Sequence, residues 1–222
     1  ALSAIDLALW DLAGKAAGKP VYELLGGPVK PDIPVYASAL HPVGTEKVQA
    51  EAKAYVEEGY QAMKMRFPYG PGHGIAGMRA NEEHVANVRD AVGDDIEIMA
   101  DAYMGWDFLY AKKMVKRLEP YRLAWLEEAF LPDDLNSYAQ LRQETSIPIS
   151  GGEHEYTRFG FQQIIEKQAM DIIQPDLRRC GGLSEGRRIC SLALANGITV
   201  IPHAYGPTHI HFALAETAIP MI

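Results

Sequence analysis

Cysteine is nearly absent: only Cys180 and Cys190 occur in 222 residues. Two thiols cannot build a disulfide framework, and a reducing cytoplasm is the expected setting. Positive charge is also scarce, with 21 Lys and Arg against 29 Asp and Glu and a formal net charge of −8. A nucleic-acid surface needs a basic stripe, so no nucleic-acid partner is expected. No apolar run is long enough to span a bilayer, which argues against a membrane partner. Aromatic residues make up 9% of the chain and are scattered without basic neighbours, so base stacking has no support. What remains is ordinary globular composition, 48% hydrophobic and 23% charged, which excludes disorder and fibrous repeats.

The first segment, residues 1–27, places Ile5, Leu9, Trp10 and Leu12 at helical spacing and ends in Leu-Leu-Gly-Gly, a helix stop. Thereafter strand-like runs alternate with helix-like ones. The strands are expected at 33–37, 62–66, 96–101, 124–127, 147–151, 170–174 and 198–202. Helices are expected at 46–58, 82–92, 108–118, 135–144, 159–167, 183–195 and 209–218. Near-continuous apolar strands flanked by amphipathic helices indicate a parallel sheet buried on both faces. Seven βα units in unbroken rhythm suit an α/β fold of the TIM-barrel type, (β/α)7β with its closing strand absent. No linker interrupts the run, so residues 1–222 are read as one domain, a leading helix followed by βα units one to seven over 28–222. The chain opens on Ala1 inside a helical pattern, and we expect it to be part of a longer polypeptide.

Active sites of such barrels gather at the C-terminal ends of the strands. Those ends carry Lys64 and Arg66, then Asp101, Glu127, Glu153 with His154, Asp176 and His203. Twenty-six residues separate Asp101 from Glu127 and Glu127 from Glu153. Three neighbouring carboxylates repel one another unless a cation binds between them. All-oxygen ligands favour Mg²⁺, with Mn²⁺ as the alternative. The bland reading is that each acid merely faces water, and it is preferred for Glu128, Asp133, Asp134 and Glu155. Asp176 and His203 lie on the next two strand ends, where an Asp beside a His fixes the tautomer and raises the basicity of the ring. His154 is read either as a hydrogen-bond donor to substrate or as a side chain pointing away. His209 and His211 are expected to be surface or packing residues, and His41 and His84 loop and helix-surface residues. Residues 66–74 form a Gly/Pro-rich stretch expected to be a lid, a substrate wall or a plain surface loop. Gly181-Gly182 before a helix is read first as a tight turn and second as an anion-binding one.

Several of these segments resemble one family. Leu7-Ala8-Leu9-Trp10-Asp11-Leu12-Ala13-Gly14-Lys15 with Leu24-Leu25-Gly26-Gly27 is similar to the opening of the barrel in the mandelate racemase subgroup of the enolase superfamily. Ile98-Met99-Ala100-Asp101, Trp125-Leu126-Glu127-Glu128, Gly152-Glu153-His154 and Gln174-Pro175-Asp176 resemble its rim motifs in order. Within the subgroup, Lys64-Met65 leading to Gly70-Pro71, Gly152-Glu153-His154 and Pro202-His203 look most like the L-rhamnonate dehydratase group.

The resemblance implies an Mg²⁺-dependent hydro-lyase acting on a sugar acid. Asp101, Glu127 and Glu153 would be the metal ligands. His203, paired with Asp176, would take the proton next to the carboxylate. Lys64 would help stabilise an enediolate, Arg66, Lys64 and His154 would contact substrate, and loss of the 3-hydroxyl would give a 2-keto-3-deoxy acid. A Lys or His base with Mg²⁺ is part of what the resemblance implies. The resemblance also leads us to expect a homo-oligomer and a separate N-terminal capping domain with no counterpart in these residues. One departure bears on the reaction. The subgroup's usual Lys-x-Lys reads Lys64-Met65-Arg66, and arginine stays protonated, so it makes a poor base. With one convincing base, dehydration is preferred over racemisation or epimerisation, and a non-catalytic barrel is the reading from another class.

Overall fold

The computed structural model describes all residues from 1 to 222. In chain order its elements are α1 (Leu2–Ala17), α2 (Val21–Leu24), β1 (Ala37–Ser38), α3 (Thr45–Glu57), β2 (Ala62–Arg66), α4 (Gly74–Val92), β3 (Glu97–Asp101) and α5 (Phe108–Leu118). There follow β4 (Trp125–Glu127), α6 (Leu135–Glu144), β5 (Ile149–Gly151), α7 (Thr157–Glu166), β6 (Ile172–Ile173), α8 (Leu183–Ala195), β7 (Thr199–Val200) and α9 (Pro207–Ala215). No helix is long and apolar enough to cross a membrane. The chain divides into two compact units, one of residues 35–150 and the other of residues 1–34 with 151–222.

In the 35–150 unit, β1 to β4 and the start of β5 pair side by side in chain order, every pair parallel. Side chains alternate across a sheet, and register partners share a face. The pairs Lys64↔Met99, Arg66↔Asp101, Asp101↔Glu127 and Glu127↔Ser150 therefore put Lys64, Arg66, Asp101 and Glu127 on one face. Met63, Met65, Ile98, Ala100, Leu126 and Ile149 take the other, and all are fully buried. Strand β2 is thus buried on both faces, as parallel strands covered by helices are. Helix α5 starts where the Asp107 carboxylate accepts from Tyr110 N at 2.8 Å, and α6 where Asp134 accepts from Ser137 N at 3.2 Å.

In the other unit, β6 and β7 pair in parallel through Ile172↔Thr199 and Ile173↔Val200, and Gln174 N donates to Gly151 O at 2.8 Å. Helix α1 buries its small residues, Ser3 and Gly14, and leaves Leu2, Ile5, Leu9 and Leu12 exposed. Its polar side chains do the docking: Trp10 Nε1 donates to Ser184 Oγ at 3.0 Å, and Asp6 accepts from Ser184 N at 3.0 Å. That carboxylate occupies the first turn of α8, so the turn at Gly181-Gly182 already holds an anion from its own chain. The tight-turn reading holds, since both glycines have positive φ, 121° and 87°.

Both units have the expected α/β class with parallel strands in chain order, and the differences are local. The first strand is two residues rather than five and starts at Ala37, because Pro34 has no N–H to give a ladder. Helix α4 begins at Gly74, eight residues before the expected start, so the stretch after β2 is shorter than it looked. Propensity disfavours Gly77 within a helix, yet a Cβ there would lie 2.5 Å from the Cβ of His73. Packing, not flexibility, selects that glycine. Helix α9 starts at Pro207, a residue suited to a first turn, and stops at Ala215.

Candidate active site

The strand ends of the 35–150 unit carry two ion pairs. Lys64 Nζ donates to Glu127 Oε1, and Arg66 donates to Asp101 Oδ2. Lys64, Glu127 and Asp101 are all almost completely buried. A lysine at this place on a two-sided strand has no route to water and must find a partner. Burial lowers the affinity of Lys64 for its proton, but Glu127, Tyr36 and Asp101 together outweigh that loss and the net shift is upward. Glu127 is further held by the Trp125 indole, which donates to Oε2 at 2.9 Å. Asp101 accepts from Tyr103 N at 2.8 Å. Burial, then the charge of Glu127, nonetheless push its pKa up to about 6, against the pull of Lys64 and Arg66. Two buried carboxylates thus sit on register-paired residues, each paired with one cation. This donor set fits a hard divalent ion.

The second unit places a relay at the corresponding strand ends. Asp176 and His203 each lie three residues beyond the register-paired Ile173 and Val200. His203 Nδ1 is 3.0 Å from Asp176 Oδ2, and its Nε2 is 3.1 Å from Glu153 Oε2. Asp176 accepts from Arg178 N at 2.7 Å. Burial raises its pKa, but the bonds from His203 and Arg178 win, and the carboxyl is held well below the usual range. Glu153 accepts from Arg179 Nη1 at 3.3 Å. His154 Nε2 stands 3.8 Å from Glu153 Oε1, beyond a hydrogen bond. His203 is half-buried, 23% exposed in its side chain, where the Asp176 carboxylate is 2% exposed. A ring reachable from solvent and gripped from behind by a buried carboxylate has the form of an oriented acid–base.

Backbone strain marks the same strand ends. Tyr103 and Met104 just after Asp101, Glu128 after Glu127, and Ala204 after His203 all have positive φ. Such conformations cost about 1–3 kcal/mol for a side-chain-bearing residue and concentrate at functional sites.

The structure therefore brings Lys64, Arg66, Asp101 and Glu127 together in one unit, and Glu153, His154, Asp176 and His203 in the other. Two expectations are corrected. Glu128 does not face water: it is buried at the end of β4. His84 is no surface residue either, since it is buried with Nε2 3.1 Å from Leu40 O, and burial lowers its pKa. A residue that looks polar in a helix pattern can turn inward when one backbone carbonyl of a neighbouring loop awaits it. His209 is a packing residue, 2% exposed, and Asp134 is a helix cap. Sequence reasoning missed Arg178 and Arg179 as partners of Asp176 and Glu153. Their placement two and three residues after a strand-end acid was the available signal.

Parallel strands in chain order, with acids, an Asp–His pair and cations at their C-terminal ends, place this chain among α/β proteins built of repeated βα units. Residues 47–220 match the Enolase C-terminal domain-like family, and the chain belongs to it. Residues 1–26 match the N-terminal domain of the mandelate racemase/muconate lactonizing enzyme family. That match falls on the leading helix, whose residues resemble the opening of the barrel, because one amphipathic helix looks alike in either place. An L-rhamnonate dehydratase of Saccharopolyspora erythraea is 39% identical over 222 residues, covering 99% of this chain and 54% of that protein. Rhamnonate dehydratase from Gibberella zeae, solved in complex with Mg, is 37% identical with a TM-score of 0.88, over 99% of this chain and 52% of that one. The 3,6-anhydro-D-galactonate cycloisomerase of Zobellia galactanivorans is 36% identical with a TM-score of 0.85, over 96% and 58%. The chain spans about half the length of the relatives it matches.

Proposed function

We propose that this chain supplies the metal ligands and the proton-transfer group of an Mg²⁺-dependent acid-sugar dehydratase of the L-rhamnonate type. The observation that carries the reading is the His203–Asp176 pair at 3.0 Å, with the imidazole reachable and the carboxylate buried. The ligands assigned to Mg²⁺ are Asp101, Glu127 and Glu153. When bound, the ion supplies positive charge for the substrate carboxylate and for the negative charge that develops beside it.

Asp176 orients His203 through Nδ1, and Nε2, which lies 3.1 Å from Glu153 Oε2, is the nitrogen assigned as the base. Nε2 takes the proton from the carbon next to the carboxylate. The C–H pair moves toward the carboxylate and then into a new C=C bond as the 3-hydroxyl departs. The imidazolium returns its proton to that hydroxyl, which leaves as water. The resulting enol rearranges to a 2-keto-3-deoxy acid. Lys64 fixes Glu127, Arg66 fixes Asp101, and His154 is assigned to the substrate. Arg66 stays protonated and offers no second base, which favours elimination over racemisation.

The test is full-length protein with Mg²⁺ and a panel of six- and five-carbon aldonic acids that includes L-rhamnonate. The expected result is a keto product that forms a semicarbazone. Recovered substrate carrying deuterium from D₂O in both configurations, with no keto product, would support a racemase or epimerase instead.

A further inference from the structure

In the 35–150 unit, three side chains converge on one backbone oxygen of the segment between Arg66 and α4. Tyr69 O accepts from Asn81 Nδ2 at 2.9 Å, from Trp106 Nε1 at 3.0 Å and from the Tyr110 hydroxyl at 3.4 Å. All three donor side chains are buried. A carbonyl oxygen has two lone pairs, so three side-chain donors saturate it. The Asn81 amide also donates to the Tyr110 hydroxyl at 3.3 Å, while its own Oδ1 is buried with no hydrogen-bond partner. That residue is arranged to donate, at the cost of an orphaned acceptor.

The backbone is seated as closely as the carbonyl. A Cβ on Gly70 would come within 2.4 Å of Gly105 O, and one on Gly77 within 3.0 Å of the Tyr69 Cβ. The Phe67 ring packs on Trp106 at 5.1 Å between centroids, and Trp106 on Tyr110 at 5.4 Å. Phe67 N donates to Asp101 O at 2.9 Å. The loop after β2 and the loop after β3 are thus joined directly beside Arg66 and Asp101, and they border an open cleft of about 330 Å³.

We propose that residues 67–74 form a preset wall of the substrate site rather than a closing lid, and that Asn81, Trp106 and Tyr110 are positioning residues that hold Arg66 and Asp101 in place through this clamp. The inference rests on the dehydratase reading only for what the wall faces; its rigidity is tested separately. A lid must break its contacts to open, and a saturated carbonyl gripped by three buried side chains, with two glycine-tight approaches, leaves none to break singly.

The experiment follows the indole N–H of Trp106 by NMR hydrogen exchange in the full-length protein, with the signal assigned through Trp106→Phe. We expect slow exchange in free protein that changes less than about twofold when Mg²⁺ and L-rhamnonate are added. Fast exchange in free protein, or slowing by more than about tenfold on addition, would overturn the wall. Asn81→Leu keeps the volume and removes the donor. It should speed Trp106 exchange and raise KM for L-rhamnonate about tenfold with kcat within about twofold. Trp106→Phe, which retains the ring stack, should show the same split in milder form. A fall in melting temperature with KM unchanged in both variants would reduce the clamp to a structural role and overturn the positioning assignment. Absence of turnover in the wild-type protein would defeat the dehydratase reading alone, and exchange in the free protein would still decide between wall and lid.

Discussion

The two units solve different electrostatic problems at their strand ends. In residues 35–150 the central pair is sealed: the Lys64 and Glu127 side chains are 3% and 1% exposed, and each is paired with the other. In the second unit the central group is open: His203 has 23% of its side chain exposed and a carboxylate within 3.1 Å of each ring nitrogen. A buried ion pair cannot exchange protons readily, because moving the proton would leave an unpaired polar group in a dry place. A half-exposed imidazole backed by a buried carboxylate can. The first region is suited to holding charge and the second to moving a proton, and each property is set by burial rather than by residue type alone.

The largest effect should come from breaking the mobile side. His203→Asn keeps the size and a polar edge but removes the base, and it should lower turnover of L-rhamnonate by about 10²–10⁴-fold. Mg²⁺ binding, measured by calorimetry, should persist within a few-fold. Retention of near-wild-type turnover would remove His203 from the mechanism.

Next comes the sealed side. Glu127→Gln leaves the Lys64 ammonium buried without its counter-charge, and the expected loss of stability is about 3–5 kcal/mol in chemical denaturation. The double variant Lys64→Met/Glu127→Gln should regain much of that loss, since no buried charge is then stranded. A single variant as stable as wild type would show that the pair is not sealed.

The balance between the two regions also explains how much the sequence disclosed. Strand ends were legible because the apolar runs stop at charged residues, and the 26-residue spacing placed Asp101 and Glu127 on adjacent strands, register partners in the sheet. Helices 108–118, 135–144 and 183–195 were legible to the residue, since each begins at a capping side chain or a glycine turn. What stayed hidden depended on partners distant in the chain. His84 is buried because Leu40 O, forty-four residues away, needs a donor. The outward apolar stripe of α1 is invisible to periodicity, which reports that a face exists but not which way it points. Arg178 and Arg179 stayed without a role until the fold brought them to Asp176 and Glu153.

A third prediction uses pH to test the packing behind the relay. His209 is buried, and Asp176 Oδ1 lies 4.0 Å from its Nε2. Burial lowers its pKa to about 4; Asp176 opposes this, while Arg178 and His203 add to it. The unfolded chain therefore takes up a proton near pH 6.5 that the folded chain refuses until about pH 4. Stability from this group is complete above pH 6.5, falls as pH drops toward 4, and is level below that. The span corresponds to about 3 kcal/mol. His209→Gln should flatten this part of the curve in urea titrations across that range. An unchanged slope in the variant would mean that His209 is not kept neutral by its surroundings.

The smallest effect is the sharpest comparison. Arg179 meets Glu153 at 3.3 Å, as formal a salt bridge as the sealed pair, but its side chain is 38% exposed. Solvent screens such a contact and hydrates either partner when the other is lost. Arg179→Gln should therefore lower stability by less than about 1 kcal/mol, or shift the thermal midpoint by no more than about 2–4 °C. Glu127→Gln removes one charge of a pair with the same chemistry and should cost several times as much. Equal losses from the two variants would mean that burial does not separate the regions, and the division between a part that holds charge and a part that moves protons would fall with it.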